Sequence, residues 1–169
     1  MGGGGGWQPT YGGATDIDKL QDIARKELEK PAPKLRRRAF LSFRGEDKNL
    51  VDLLRGQAKN ENSDLDFIDF SLQAPFNSEN AEYIRSGIRE RIRQSSVTIV
   101  CLTESTHTSE WVDWEIRESI RLGKGVIGVK MKDDTPIIIP KAMEENNCKV
   151  VSWNHTEINQ AIKEACESH

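Results

Sequence analysis

Trp111 and Glu115 stand four residues apart in the run Trp111-Val112-Asp113-Trp114-Glu115-Ile116. On a helix, that spacing puts a large aromatic face and a carboxylate on one side. No second acid is paired with Glu115 by spacing. His107, His155 and His169 have no ligand spacing with Cys101, Cys148 and Cys166, so no metal site is expected. The chemistry open to such a chain is that of a single acid. From spacing alone, Glu115 reads more readily as an ordinary solvated helical residue than as a catalytic one.

The elements around this pair decide where it points. Val112, Ile116 and Ile120 form a separate apolar stripe that can face a core, and Gly123 suits the helix C-terminus. Before the helix, Ser96 to Leu102 is apolar enough for a central strand buried on both faces, and after it Gly125 to Val129 reads as another. Upstream, Ala39 to Phe43 predicts the first strand. Leu50, Val51, Leu53, Leu54 and Ala58 mark a helix, and Leu65 to Phe70 predicts the second strand. Ser71 to Asn77 is a loop, and Ser78 caps a helix carrying Ile84, Ile88 and Ile92 at four-residue spacing.

Downstream, Ile137-Ile138-Ile139 reads as a short edge strand between Pro136 and Pro140, and Cys148 to Trp153 as the last strand. Asn154 or Thr156 caps a final helix built on Ile158, Ala161, Ile162 and Ala165. Trp114 and Trp153 are expected in the core, Asp113 and Glu118 in solvent.

Strand and helix alternating in this way indicate an α/β fold, a doubly wound parallel sheet with helices on both faces. In such sheets ligands bind beyond the C-terminal strand ends, where the strand order reverses. For the flavodoxin-like order 2-1-3-4-5, the crevice lies between strands one and three. Ser42-Phe43-Arg44-Gly45 and Thr103-Glu104-Ser105 would rim it, with Asp69-Phe70 alongside and the Trp111 helix starting at its edge.

The 169 residues divide into a glycine-rich tail (1–14), an amphipathic helix with a proline linker (15–35) and the α/β domain (36–169). In the helix, Thr15 suits the N-cap, and Ile17, Leu20, Ile23, Ala24 and Leu28 share a face that packs on the domain or pairs with another chain. The net charge of -3, with both signs interspersed, argues against a nucleic-acid footprint. The cluster of Lys34, Arg36, Arg37 and Arg38 reads as the solvated start of a strand, or as a phosphate or lipid contact. No run approaches the ~20 apolar residues of a membrane span, and no secretory pattern opens the chain. The odd, widely spaced cysteines suit free thiols in a reducing cytoplasm.

Phe40-Leu41-Ser42-Phe43-Arg44-Gly45-Glu46-Asp47 resembles the first signature box of Toll/interleukin-1 receptor (TIR) domains. Phe67-Ile68-Asp69 resembles the strand leading into their BB loop. Trp111-x-x-x-Glu115-Ile116, followed by Gly123-Lys124 and an apolar strand, resembles the helix carrying the glutamate of NAD-cleaving TIR domains. The three boxes fall in register between Arg38 and the C-terminus, and Ser96 to Lys130 looks most like the ThsB family of bacterial Thoeris anti-phage defence.

The resemblance implies a TIR-like fold with Glu115 as catalytic residue and Ser42, Phe43, Arg44, Asp69 and Trp111 as substrate-binding residues. It implies NAD+ as substrate rather than cofactor, self-association through TIR surfaces, and a separate effector reached by a nucleotide signal. The Ser71 to Asn77 loop departs from the family in lacking its common glycine.

One acid suffices for that reaction. Ordinary glycoside hydrolysis uses two carboxylates, one of them to protonate a poor leaving group. Nicotinamide leaves ribose as a neutral amine, so only the oxocarbenium charge needs stabilising. A non-catalytic TIR scaffold needs neither Glu115 nor Trp111. A receiver-like domain needs an acidic cluster and a phosphoacceptor that Ser42-Phe43-Arg44 does not supply.

Overall fold

The computed structural model describes residues 14–29, 36–69 and 81–168. The chain divides into two units, residues 1–35 and 36–169. The first contributes α1 (Ala14–Glu29), which begins one residue before the expected cap, so Thr15 lies inside its first turn. Ile17, Leu20, Ile23 and Leu28 are exposed. The glycine-rich tail, the proline linker, the Ser71 to Asn77 loop and the Ser78 cap lie outside the described residues.

The second unit is a five-stranded, all-parallel sheet in the order β2-β1-β3-β4-β5. Its elements are β1 (Arg37–Ser42), α2 (Lys48–Lys59), β2 (Phe67–Asp69), α3 (Ala81–Gln94), β3 (Val97–Leu102), α4 (Glu110–Arg121), β4 (Gly125–Lys130), α5 (Lys141–Glu145), β5 (Lys149–Ser152) and α6 (His155–Glu167). The doubly wound order 2-1-3-4-5 is therefore observed, with helices on both faces. Among the described residues, no helix is long and apolar enough to cross a membrane.

Alternation along the strands sorts the core. Ala39 and Leu41 of β1, with Val97, Ile99 and Cys101 of β3, pack with α2 and α6 residues such as Val51, Leu54 and Ile158. Their neighbours point the other way. Val100 and Leu102 meet Val112 and Ile116 of α4 and Met143 of α5, while Phe40 meets Ile88 and Ile92 of α3. All six β3 residues are buried, as a central strand requires.

Several expectations need correction. Ile137-Ile138-Ile139 forms no strand: Pro140 opens α5, Ile138 is exposed, and β5 is the edge of the sheet. Leu53 is exposed, because its neighbours Val51 and Leu54 take the core face of α2. Trp114 and Trp153 are only half-buried. The indole N–H of Trp153 donates to Gln57 at 2.8 Å, and such a polar edge keeps a ring near the surface. Of the two possible caps on α6, Asn154 accepts from the Glu157 N–H at 3.1 Å.

Two glycines fix the approach to β4. Gly123 adopts a φ of 70°, and the bonds Lys124 N–H to Ser119 and Gly123 N–H to Ile120 close α4 in a Schellman motif. Gly125 lies against α6, so a Cβ there would stand 2.5 Å from the Ala165 carbonyl oxygen. Gly125→Ala is expected to lower stability by about 1–3 kcal/mol, read as a drop in Tm. Gly45→Ala, whose Cβ meets nothing within 4 Å, is the control.

Candidate functional site

Ser42 follows Phe40 by two residues and so faces α3 and α4 from the C-terminal end of β1. It is fully buried, and its hydroxyl donates to Glu115 Oε2. Glu115 is half-buried. Burial pushes its carboxyl up to about 8, while the bond from Ser42 pulls in the opposite direction.

The helix beneath it is fixed at both ends. Ser109 caps α4 by accepting from the Val112 N–H at 3.3 Å. Farther along, the Ser119 hydroxyl bonds the Glu115 carbonyl at 2.7 Å and lies 2.7 Å from Thr98 Oγ1 on β3.

Glu115 opens onto a cavity of about 620 Å³ that Phe43, Arg44, Trp111, Ile84 and Ile88 also line. Trp111 is 42% exposed, and its ring meets that of Trp114 edge-on, with centroids 5.9 Å apart. Arg44 lies 3.3 Å from Glu46 and 3.7 Å from Asp47, so it bridges both acids of the turn that follows β1. Its Nε is buried without a hydrogen-bond partner among the described residues. Phe43 lies under the Arg55 guanidinium, 5.0 Å from the ring centroid.

Thus five of the six residues singled out in the sequence converge: Glu115, Phe43, Arg44 and Trp111 on the cavity, and Ser42 on Glu115. Asp69 does not line it. Its carboxylate is buried against Arg55 Nε at 2.6 Å, and Arg55 in turn covers Phe43. Asp69 therefore reaches the site only through Arg55.

The expected rim Thr103-Glu104-Ser105 is likewise displaced from the lining. The Thr103 hydroxyl donates to Asp47 at 2.9 Å, holding the β1 turn to the end of β3. Glu118, expected in solvent, is buried on α4 between Arg89 at 2.7 Å and Arg121. Those hydrogen bonds, Arg121's first, hold its carboxyl down at about 2.

A smaller cavity of about 330 Å³ opens at the opposite, N-terminal end of β4 and β5, near Gly125 and Cys148. Its acid, Glu164, is paired with Lys149 at 2.8 Å. The topology assigns ligand binding to the other end. Among the described residues, no three His, Cys, Asp or Glu side chains cluster as metal ligands would. Cys101 is buried with its thiol pushed up to about 12, so it stays protonated.

The family model described as "Thoeris protein ThsB, TIR-like domain" matches residues 40–136, more than half of the chain. The chain belongs to the ThsB TIR-like family. No curated protein matches it. The matched span runs from β1 past β4, so every residue named as lining the Glu115 cavity lies inside the ThsB TIR-like region.

The sequence pattern gave no sign of Ile84 and Ile88 as walls of the site, because four-residue apolar spacing reports a face and not what that face meets. Ser109 was also missed, although a serine just before an amphipathic helix is a legible cap.

Proposed function

We propose that this ThsB-family domain cleaves the nicotinamide–ribose bond of NAD+ and releases an ADP-ribose-type signal, in cyclic form, for a separate effector in anti-phage defence. The observation that carries this reading is the cavity shared by Trp111 and Glu115, with Ser42 holding the carboxylate from beneath. The geometry provides one acid, an aromatic wall and an apolar flank from Ile84 and Ile88.

Burial favours the protonated form of Glu115. A bound nicotinamide riboside end is cationic, and an opposite charge within about 4–6 Å favours the carboxylate. Glu115 then ionises against the substrate, with the Ser42 hydroxyl donating to the anion. As the C1′–N bond breaks, positive charge passes to the ribose and nicotinamide departs with the bonding pair as a neutral amine. The carboxylate stabilises that oxocarbenium charge in a site of low dielectric. Water capture gives ADP-ribose, whereas capture by an adenine nitrogen or ribose hydroxyl gives a cyclic isomer.

Trp111 is assigned the role of holding the adenine end near C1′, which raises the effective concentration of the internal nucleophile. The test is incubation of concentrated protein with NAD+, with products separated by chromatography and weighed. NAD+ loss with a cyclic product supports the reading, and an inert protein at concentrations where it self-associates favours a TIR scaffold. Trp111→Ala is expected to shift product from cyclic to linear by about tenfold or more. An unchanged ratio would remove Trp111 from that role.

A further inference from the structure

The cavity has a charge problem that its own lining does not solve. A dinucleotide brings two phosphate charges, yet among the described residues the lining holds one cation, Arg44, beside the acids Glu46 and Glu115. Arg44 is already committed to Glu46 and Asp47, at 3.3 and 3.7 Å. An anionic ligand would therefore find no uncommitted cation among the described lining residues.

One stands beside that lining, though not in it. Arg85 follows Ile84 on α3, and Ile84 and Ile88 both line the cavity. Its guanidinium lies 5.5 Å from the Trp111 ring centroid and 5.7 Å from that of Trp114. These two faces meet at 87°, so the guanidinium is held by both rings. Arg85 is exposed, and no carboxylate among the described residues pairs with it. The next arginine on that face behaves differently: Arg89 is taken up by Glu118 at 2.7 Å and Glu82 at 3.8 Å.

Stacking occupies the face of a guanidinium and leaves its N–H edge open. That edge matches a phosphate in a two-pronged fork, and the rings have already restricted the side chain.

We propose that Arg85, stacked on Trp111 and Trp114 beside the cavity, binds the diphosphate of the dinucleotide. The proposal rests on the NAD+ reading and adds its anion-binding residue. Trp111 then serves two ligand parts, bearing Arg85 as well as walling the cavity. Among the described residues Arg85 has no ion pair to lose, so its replacement removes only its contacts with the two rings.

The test is calorimetric titration of ADP-ribose, which keeps the diphosphate but has no bond to nicotinamide. It is run into wild type, Arg85→Lys and Arg85→Gln at low and high salt. Arg85→Gln is expected to bind at least tenfold more weakly, with Arg85→Lys between, because it keeps the charge and loses the fork. The salt dependence of binding should also be shallower in Arg85→Gln, since one charge contact is gone. Equal affinity in Arg85→Gln overturns the proposal and leaves the NAD+ reading standing. Weaker binding with an unchanged salt dependence also overturns it, because lost packing would then be the cause. A wild type that does not bind ADP-ribose overturns both.

Discussion

Glu115→Gln is expected to cut NAD+ consumption by about 10³-fold, or roughly 4 kcal/mol of transition-state stabilisation. The amide has the shape of the acid and can still accept from Ser42, so the cavity keeps its walls. What it loses is the negative charge opposite the oxocarbenium ion, and the low dielectric around Glu115 makes that charge count for more than it would in water. The loss should fall on kcat, with ADP-ribose affinity nearly unchanged, because the product carries no positive charge to miss the carboxylate. Side-by-side progress curves at equal protein concentration measure it. A rate within tenfold of wild type would place the catalytic charge elsewhere, and the family's glutamate position in this chain would then be structural.

Much of this site was legible because the information was local. The period of two in β1 puts Ser42 on the same face as Phe40, and the i, i+4 spacing of α4 puts Trp111 over Glu115. Parallel topology then brings the end of β1 to the start of α4 with no further information.

Most of the misses share one physical cause, which is that partners distant in sequence leave no mark on local pattern. Glu118 looks like any helical acid until Arg89 arrives from α3. Asp69 sits at a strand end facing the crevice in outline, but Arg55 of α2 captures it first. Ile137 to Ile139 has the composition of a strand, and two prolines with an unpredicted helix at Lys141 override it. Arg85 was invisible for a related reason. An arginine on a polar helix face is ordinary, and only two tryptophan rings from a different helix set it apart.

Two acids of α4, Glu118 and Glu115, illustrate opposite solutions to one problem. Glu118 is supplied with two guanidinium partners and stays ionised, which stabilises the fold at every pH above the normal carboxylate range. Glu115 receives one neutral hydroxyl, which does not offset the cost of burying its charge. A structural acid would be served as Glu118 is. The under-served acid is the one facing the cavity, and a cationic substrate supplies what the protein withholds.

The pH dependence of Glu115 should therefore show twice, with opposite signs. Its folded value of about 8 lies above the ordinary 4.5, so between these the folded protein holds a proton that the unfolded chain has released. Stability contributed by that proton is complete below about 4.5, falls as pH rises, and is gone above about 8. Each tenfold difference in proton affinity between the folded and unfolded chain is worth about 1.4 kcal/mol, so the loss amounts to a few kcal/mol.

Glu115→Gln carries no such proton. It should melt close to wild type near pH 5 and clearly above it at pH 9, in thermal scans where reversible unfolding holds. Activity runs the other way. kcat/KM for NAD+ reports the free enzyme, so it should climb about tenfold for each pH step of one below about 8 and then level. The kcat profile should break at lower pH, because the bound pyridinium cation holds Glu115 ionised. Arg44 and Glu46, the charged groups across the cavity, pair with each other. Coincident breaks in kcat and kcat/KM would mean that substrate binding does not ionise Glu115. A Glu115→Gln protein no more stable than wild type at pH 9 would mean that the carboxylate was never costly to bury.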